Sequence, residues 1–272
     1  QKIKLLIESK TLMTTILLNA LSILLVLFLA LLLKKIGLLR QEDGALTSKL
    51  VVYLTLPATI LIGVNHTKLS GIFFILMFMG LFSNLFLVFL GKFIGRKASV
   101  EERGLYMFDL SGYNIGNFSI PFVSSFFPAA IPFLAMFDMG NSLMVTGTTQ
   151  AIVELSSGRK KHGFILQEIF GVLFRNPPFV VYIFMFILAI FGLSFPDDWL
   201  ILIRPLANAN TLLSIFTIGL FMEFRLPKGK LKLLLKILTW RYLLAFILAS
   251  LVYFFAPFPA IIKEVLLLIF FC

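Results

Sequence analysis

Apolar runs of membrane-crossing length recur along almost the whole chain, separated by short polar or proline-containing turns, and that recurrence fixes the fold class. A hydrocarbon layer about 30 Å thick takes roughly 20 residues of helix to cross. The runs lie at residues 13–33, 46–65, 71–91, 104–126, 129–155, 177–195, 202–223 and 233–255, and a ninth begins near 260. Of 272 residues, 60% are hydrophobic and only 14% charged, too little polar material to surface a soluble domain of this size. The expectation is an all-α polytopic membrane protein.

The net charge of +11 is not spread evenly, and its distribution favours a membrane over a nucleic acid. Lys34, Lys35, Arg40 and Lys49 flank the first connection, and Lys92, Arg96, Lys97 and Arg103 the third. Arg159, Lys160, Lys161 and Arg175 mark the fifth, and Arg225, Lys228, Lys230, Lys232 and Lys236 the seventh. The even connections carry His66 and Lys68, then no charge near Pro128, then Asp197 and Asp198, then none around Pro257. The positive-inside rule places the odd connections in the cytoplasm of a cell membrane and the amino terminus outside. Lys2, Lys4 and Lys10 run against that pattern and fit a short interfacial helix with Ile3, Leu5, Leu6 and Ile7. The first apolar core is long and no small-residue cleavage pattern follows it, so a retained helix is expected there instead of a signal peptide. The sole cysteine, Cys272, has no intramolecular partner, and no cysteine and histidine cluster points to a metal. His66 and His162 both read as solvated membrane-edge residues.

Within the fourth run, Ser111-Gly112-Tyr113-Asn114-Ile115-Gly116-Asn117-Phe118-Ser119-Ile120-Pro121-Phe122 places two amides, two glycines and a proline at membrane depth. An unpaired backbone group costs several kcal/mol in hydrocarbon, so a spanning helix breaks only where protein or a water-filled cavity surrounds the break. Such breaks mark transport sites. Gly112 and Gly116 alone would suit a close helix contact, but packing leaves Asn114 and Asn117 unexplained. The segment from Asn114 to Pro121 is expected to be nonhelical or sharply broken, with Gly116 and Pro121 helping to interrupt it and Pro57 bending the second span around the same cavity.

The two amides offer donors to a carboxylate without a second charge, and free N–H groups at the start of the following half-helix add partial positive charge. Ser119 can add a hydroxyl and Tyr113 can close one side, though back-bonding and aromatic packing account equally well for them. Asp138, in Phe137-Asp138-Met139-Gly140-Asn141, and Asp109 are carboxylates within apolar runs. Each faces a cavity, a partner or a proton path. Coupling or gating is the role weighed for both, against helix-to-helix hydrogen bonding. Asn141 is positioned to pair with Asn114 or with substrate. Asn208, Asn210 and Thr211 lie at comparable depth and suit either the site or interhelical packing. Glu154, Glu168 and Glu223 belong to cytoplasmic ends and receive no substrate role.

After the fifth connection the pattern echoes the beginning: Ile36-Gly37-Leu38-Leu39 ends the first run, Phe191-Gly192-Leu193-Ser194 the sixth. Residues 1–156 are expected to form a first repeat of five spans, 157–176 a cytoplasmic connection, and 177–272 an incomplete second repeat. Five spans per half would invert the second half relative to the first. The last apolar run stops at Cys272, so about eight and a half of ten spans are expected.

Several of these segments together resemble the auxin efflux carrier family, especially its bacterial malate-permease-like members. They are Ile36-Gly37-Leu38-Leu39 with Glu42 and Asp43, Leu56-Pro57-Ala58, Asn114 seven residues before Pro121, Asp138 with Gly140-Asn141, Asn176-Pro177-Pro178 and Ile218-Gly219-Leu220. The resemblance implies a ten-span inverted-repeat carrier with crossing broken helices, a plasma-membrane secondary transporter that moves organic anions by alternating access. Ser119 departs from the glycine usual just before Ile-Pro, and Asn117 adds an amide. The plant members' long cytoplasmic region has no counterpart here. No cofactor is expected; protons are candidate coupling ions and sodium a weaker one. The expected partners are a small organic mono- or dicarboxylate and membrane lipids, with a homodimer permitted and no nucleic acid. A sodium-coupled organic-acid symporter and a non-transporting receptor or scaffold are the alternatives. No serine-histidine, cysteine-histidine or metal-ligand arrangement points to an enzyme.

Overall fold

The computed structural model describes residues 2–158, 165–223 and 229–272. Arg159, Lys160, Lys161, His162, Arg225 and Lys228 lie outside the described residues, as do the side chains of Lys2, Lys4, Lys10 and Glu168. Among the described residues every regular element is helical and no strand occurs. The helices are α1 (Lys2–Lys35), α2 (Asp43–Leu50), α3 (Leu56–Val64), α4 (Gly71–Ile94), α5 (Val100–Leu110), α6 (Ile120–Phe126) and α7 (Ile131–Leu143). They continue as α8 (Thr149–Ser156), α9 (Ile165–Leu173), α10 (Pro177–Ile190), α11 (Asp197–Phe221), α12 (Leu231–Phe255) and α13 (Ala260–Phe270).

Among the described residues, six helical stretches are long and apolar enough to cross a membrane: Thr14–Lys35, Asp43–Val64, Gly71–Lys97, Pro128–Ser156, Asp197–Phe221 and Leu231–Phe255. The chain is thus a polytopic helical membrane protein, but the expected ten-span inverted repeat with eight and a half spans present is not what it forms. Three runs expected to cross fall short as single helices. Residues 104–126 are divided between α5 and α6, α10 stops after 14 residues, and α13 has 11. At 1.5 Å per residue the last two reach only about 21 and 16 Å, against roughly 30 Å of hydrocarbon.

Two of the six stretches contain π-helical turns, Val51–Thr55 and Met144–Thr148, and a third such turn, Ile115–Ser119, leads into α6. The turns at Val51–Thr55 and Ile115–Ser119 each run into Leu56-Pro57 or Ile120-Pro121. Proline has no N–H to donate and its ring clashes with the carbonyl four residues back, and the wider π turn accommodates both without ending the helix. Pro57 and Pro121 therefore lie inside continuous helical paths.

α4 and α7 run parallel, with Phe73 stacked on Phe133 at one level (5.5 Å between centroids) and Asn84 bonded to Asn141 further along (3.0 Å). Small residues let them touch backbone to backbone: a Cβ at Gly80 would strike the Phe137 carbonyl, and one at Gly140 the Met77 carbonyl. Because both helices point the same way, α5 and α6 carry the chain back between them. α11 lies antiparallel to the second stretch along a polar seam, Thr47 with Thr217 (2.7 Å), Thr55 with Asn210 (2.8 Å) and Thr59 with the Ala207 carbonyl (3.3 Å). Lys34, at the end of α1, caps the end of α11 by donating to the Leu220 and Met222 carbonyls (2.8 and 2.5 Å).

The core gathers around Ile115, Ile120, Leu134, Phe137, Tyr182 and Leu266, all fully enclosed. Outward, Phe78, Phe82, Phe86, Phe89 and Phe93 form an exposed stripe along α4 at three- and four-residue spacing. In water such a stripe would be a liability. Against lipid tails it is the expected surface.

Candidate functional site

α5 ends at Leu110, and residues 111–114 follow without helical structure before the π turn at Ile115. Gly112 makes the turn at φ +77°, a backbone region that side chains with a Cβ rarely adopt. The interruption therefore precedes the expected segment and meets it only at Asn114, since Ile115 to Pro121 is helical. Gly116 and Pro121 sit in the helical turns after it.

Breaking a helix in apolar surroundings frees N–H and C=O groups, and here those of Gly112 and Tyr113 and the carbonyls of Asp109 and Ser111 meet side-chain partners. Asn84, fully buried on α4, accepts from the Gly112 N–H (2.6 Å) through Oδ1 and donates to Asn141 Oδ1 (3.0 Å) and its own Gly80 carbonyl (2.7 Å) through Nδ2. Asn141 Oδ1 also accepts from the Tyr113 N–H (3.2 Å), while its Nδ2 donates to the Tyr113 carbonyl (3.0 Å) and to Asp138 Oδ1 (2.8 Å). The other Asp138 oxygen accepts from the Tyr182 hydroxyl of α10 (2.6 Å). The carbonyls at the end of α5 meet Arg241 of α12. Its guanidinium donates to Asp109 O (2.5 Å), Gly112 O (3.1 Å) and Cys272 O (2.5 Å), and more weakly to Ser111 O (3.5 Å). A cation at a helix C-terminus is favoured by the helix dipole as well as by these bonds.

This network assigns the residues singled out in the sequence. Asn141 is saturated: both lone pairs and both amide hydrogens are used inside the chain. It holds the break and has no capacity left for a ligand. Asp138, buried, orients Asn141 and ties α7 to α10. Tyr113 is buried with its ring edge-on to Phe137 (5.5 Å), and Ser119 is buried with Oγ donating to Cys272 Sγ (3.0 Å). The Asp109 side chain is exposed, and its backbone carbonyl is what joins the network. Asn114 is exposed and Asn117 half-buried, and neither amide side chain has a hydrogen-bond partner among the described residues.

The Asn117 helix continues through α6 to a cavity of about 630 Å³, where Ser124 and Ser125 face Thr59, Arg204, Asn208 and Thr211. Seven residues of helix, about 10 Å, separate Asn117 from Ser124. Ser124 and Thr211 are linked (3.1 Å), and Thr211 also donates to the Pro121 carbonyl (3.2 Å). Arg204 and Asn208, one turn apart on α11, project into this space with no partner of their own among the described residues. Asn208 thus belongs to the cavity, whereas Asn210 bonds Thr55 within the helix seam.

Asn84, Tyr182, Arg204 and Arg241 were not among the residues expected from sequence. Asn84, Arg204 and Arg241 were nonetheless visible there as polar or charged positions inside apolar helices, which in a membrane demand a partner or a cavity. Tyr182 carried no such signal, since tyrosine packs in apolar cores without distinction of spacing. Scanned against models of known families and against curated proteins, the chain matches none.

Proposed function

We propose that the chain is a secondary transporter of organic anions, mono- or dicarboxylates, working by alternating access, as its resemblance to auxin efflux carriers implies. The observation that carries this reading is the contrast at the break. Backbone and side-chain groups around residues 111–113 are bonded to Asn84, Asn141 and Arg241, whereas the amides of Asn114 and Asn117, just beyond them, have no partner among the described residues. A break made only for packing would have no reason to leave two amides unpaired in a membrane. Amide N–H groups bind a carboxylate without the fixed charge that would slow its release.

The Arg204 cavity supports the same substrate class. It supplies a guanidinium, an amide and hydroxyls beside the helix that carries Asn117, at the end of the molecule where Gly63 and Pro128 lie. A planar guanidinium is suited to two-point contact with a carboxylate. In the reading proposed here, the anion is collected at Arg204 and handed to Asn114 and Asn117 when the groups around the break shift.

The test is uptake of radiolabelled malate and of a monocarboxylate such as indole-3-acetate into proteoliposomes containing the full chain. Saturable uptake is expected, and Asn114→Ala and Asn117→Ala should each raise KM by about tenfold, the loss of one hydrogen bond to a charged group. Uptake by the parent no faster than by empty liposomes would end the transport reading. Parent-like KM in both variants would end the assignment of the amides.

A further inference from the structure

A second cavity, of about 410 Å³, opens between the end of α4, the first turns of α5 and the start of α12. Three lysines line it, Lys97, Lys232 and Lys236, with Glu102 as the one carboxylate and Tyr106 and Leu233 among the apolar walls. We infer that this pocket binds the phosphate of an anionic lipid headgroup, or a soluble phosphate of the same chemistry.

Three features carry the inference. The first is charge without internal compensation: the one ion pair among the described residues is His66 with Asp197, so none of the three ammonium groups is paired with Glu102 or any other described carboxylate. Lys232 and Lys236 lie four residues apart on one face of α12, an arrangement that repels unless an anion sits between them. The second is depth. Lys97 closes the membrane-length stretch Gly71–Lys97, and Lys232 and Lys236 open Leu231–Phe255, so the pocket is at the level where apolar helix gives way to headgroups. The third is shape. The lysines come from two separate segments and, each of them exposed, converge on one cleft between helices. Buried Tyr106 forms part of its wall. A lysine is a compact point charge with three donors, suited to the tetrahedral phosphate oxygens, and its four-carbon stem can lie along the apolar wall. Glu102 limits the site to ligands whose charge is local to one group.

This site is separate from the break and the Arg204 cavity, and its test is independent of transport. The full chain in neutral detergent is titrated with dioleoyl phosphatidylglycerol, dioleoyl phosphatidylcholine and inorganic phosphate, and bound species are counted by native mass spectrometry. Phosphatidylglycerol should be retained in preference to phosphatidylcholine. The triple variant Lys97→Gln, Lys232→Gln, Lys236→Gln should lose about a hundredfold of that affinity, from roughly one kcal/mol per lysine near an anionic headgroup. The corresponding triple Lys→Arg variant should retain binding, which separates loss of charge from loss of fold. The double variant Lys49→Gln, Lys92→Gln removes charge elsewhere and should also bind like the parent. Displacement of the lipid by millimolar inorganic phosphate would assign the pocket to a soluble phosphate, and resistance to displacement would assign it to the lipid. The inference is overturned if the glutamine triple binds like the parent, if the control double loses as much, or if neither phosphatidylglycerol nor phosphate binds the parent.

Discussion

Asn141 makes four hydrogen bonds within the chain, and Asn84 three, and between them they satisfy the backbone of Gly112 and Tyr113. Replacing Asn141 with Leu keeps the volume but leaves the Tyr113 N–H and C=O and one Asp138 oxygen without donors or acceptors. The expected cost is about 1–3 kcal/mol for each buried group so stranded. It should appear as a clear fall in the thermal unfolding midpoint in detergent, and a midpoint equal to the parent's would mean the network is not what holds the break. Asp138→Asn is expected to behave differently. The Tyr182 hydroxyl, now the donor to Asp138, can become the acceptor of an amide N–H. The fold should survive and the titratable proton should be lost. If protons couple to transport through this residue, the pH dependence of uptake flattens in Asp138→Asn while substrate binding persists. An unchanged profile would leave Asp138 as a positioning residue for Asn141. Asp138 and Asn141 were legible in the sequence as polar groups in an apolar run, but their partners were not. The contacts come from Asn84, 57 residues before Asn141, and from Tyr182, 44 residues after Asp138, and spacing along one helix cannot reveal them.

At the scale of elements, the break was legible but its boundary was not. Pro121 is the stronger helix breaker by propensity, yet the chain interrupts at Gly112, because a π turn absorbs the proline and leaves α6 intact. Whether a proline breaks, kinks or is absorbed depends on the turn before it, and no residue pattern marks a π turn in advance. The assignment of the break to Gly112 predicts an order of variants. A Cβ at Gly112 would meet only Val145, at an ordinary 3.6 Å, so the cost of a side chain there is the left-handed backbone alone. Gly112→Ala should destabilise by about 1–2 kcal/mol, and Gly112→Asn by less, since asparagine tolerates that conformation. Gly140→Ala meets the Met77 carbonyl, so it should be worse than either, by pushing α4 and α7 apart. Unfolding midpoints of the three variants check the order. Gly112→Ala worse than Gly140→Ala would refute it.

For the whole molecule, the membrane class and most of the stretches could be read from the sequence, but the repeat expected from it is not formed. The echo between Gly37 and Gly192 is real as local chemistry: both residues end a helix at positive φ, +79° and +66°. In each case the next amide reaches back to a carbonyl five residues earlier, Leu38 to Leu33 (3.1 Å) and Leu193 to Leu188 (2.9 Å). A shared helix cap is not a shared span, and α10 is too short to match the Thr14–Lys35 stretch. The charge pattern leads to an expectation about orientation. Lys34 bonds the end of α11, and Lys97 shares a pocket with Lys232, so the basic connections are brought together in these pairs by contact. His66 and Asp197 meet at 2.9 Å, which unites the second connection with the start of α11 at the other end of that helix. An edge rich in Lys and Arg is expected to face the cytoplasm. Single cysteines at Thr67 and at Arg96, introduced after Cys272→Ala removes the native thiol, should therefore label oppositely with a membrane-impermeant maleimide. Cells should label at position 67 from outside, and at position 96 only after permeabilisation. Replacing Lys97, Lys232 and Lys236 with Gln should weaken this preference without abolishing it, because Lys34, Lys35 and Lys92 remain on the same connections. Labelling at position 96 in intact cells would reverse the orientation. It would also place Arg204 and its cavity on the cytoplasmic side, so that the anion would be collected from inside the cell.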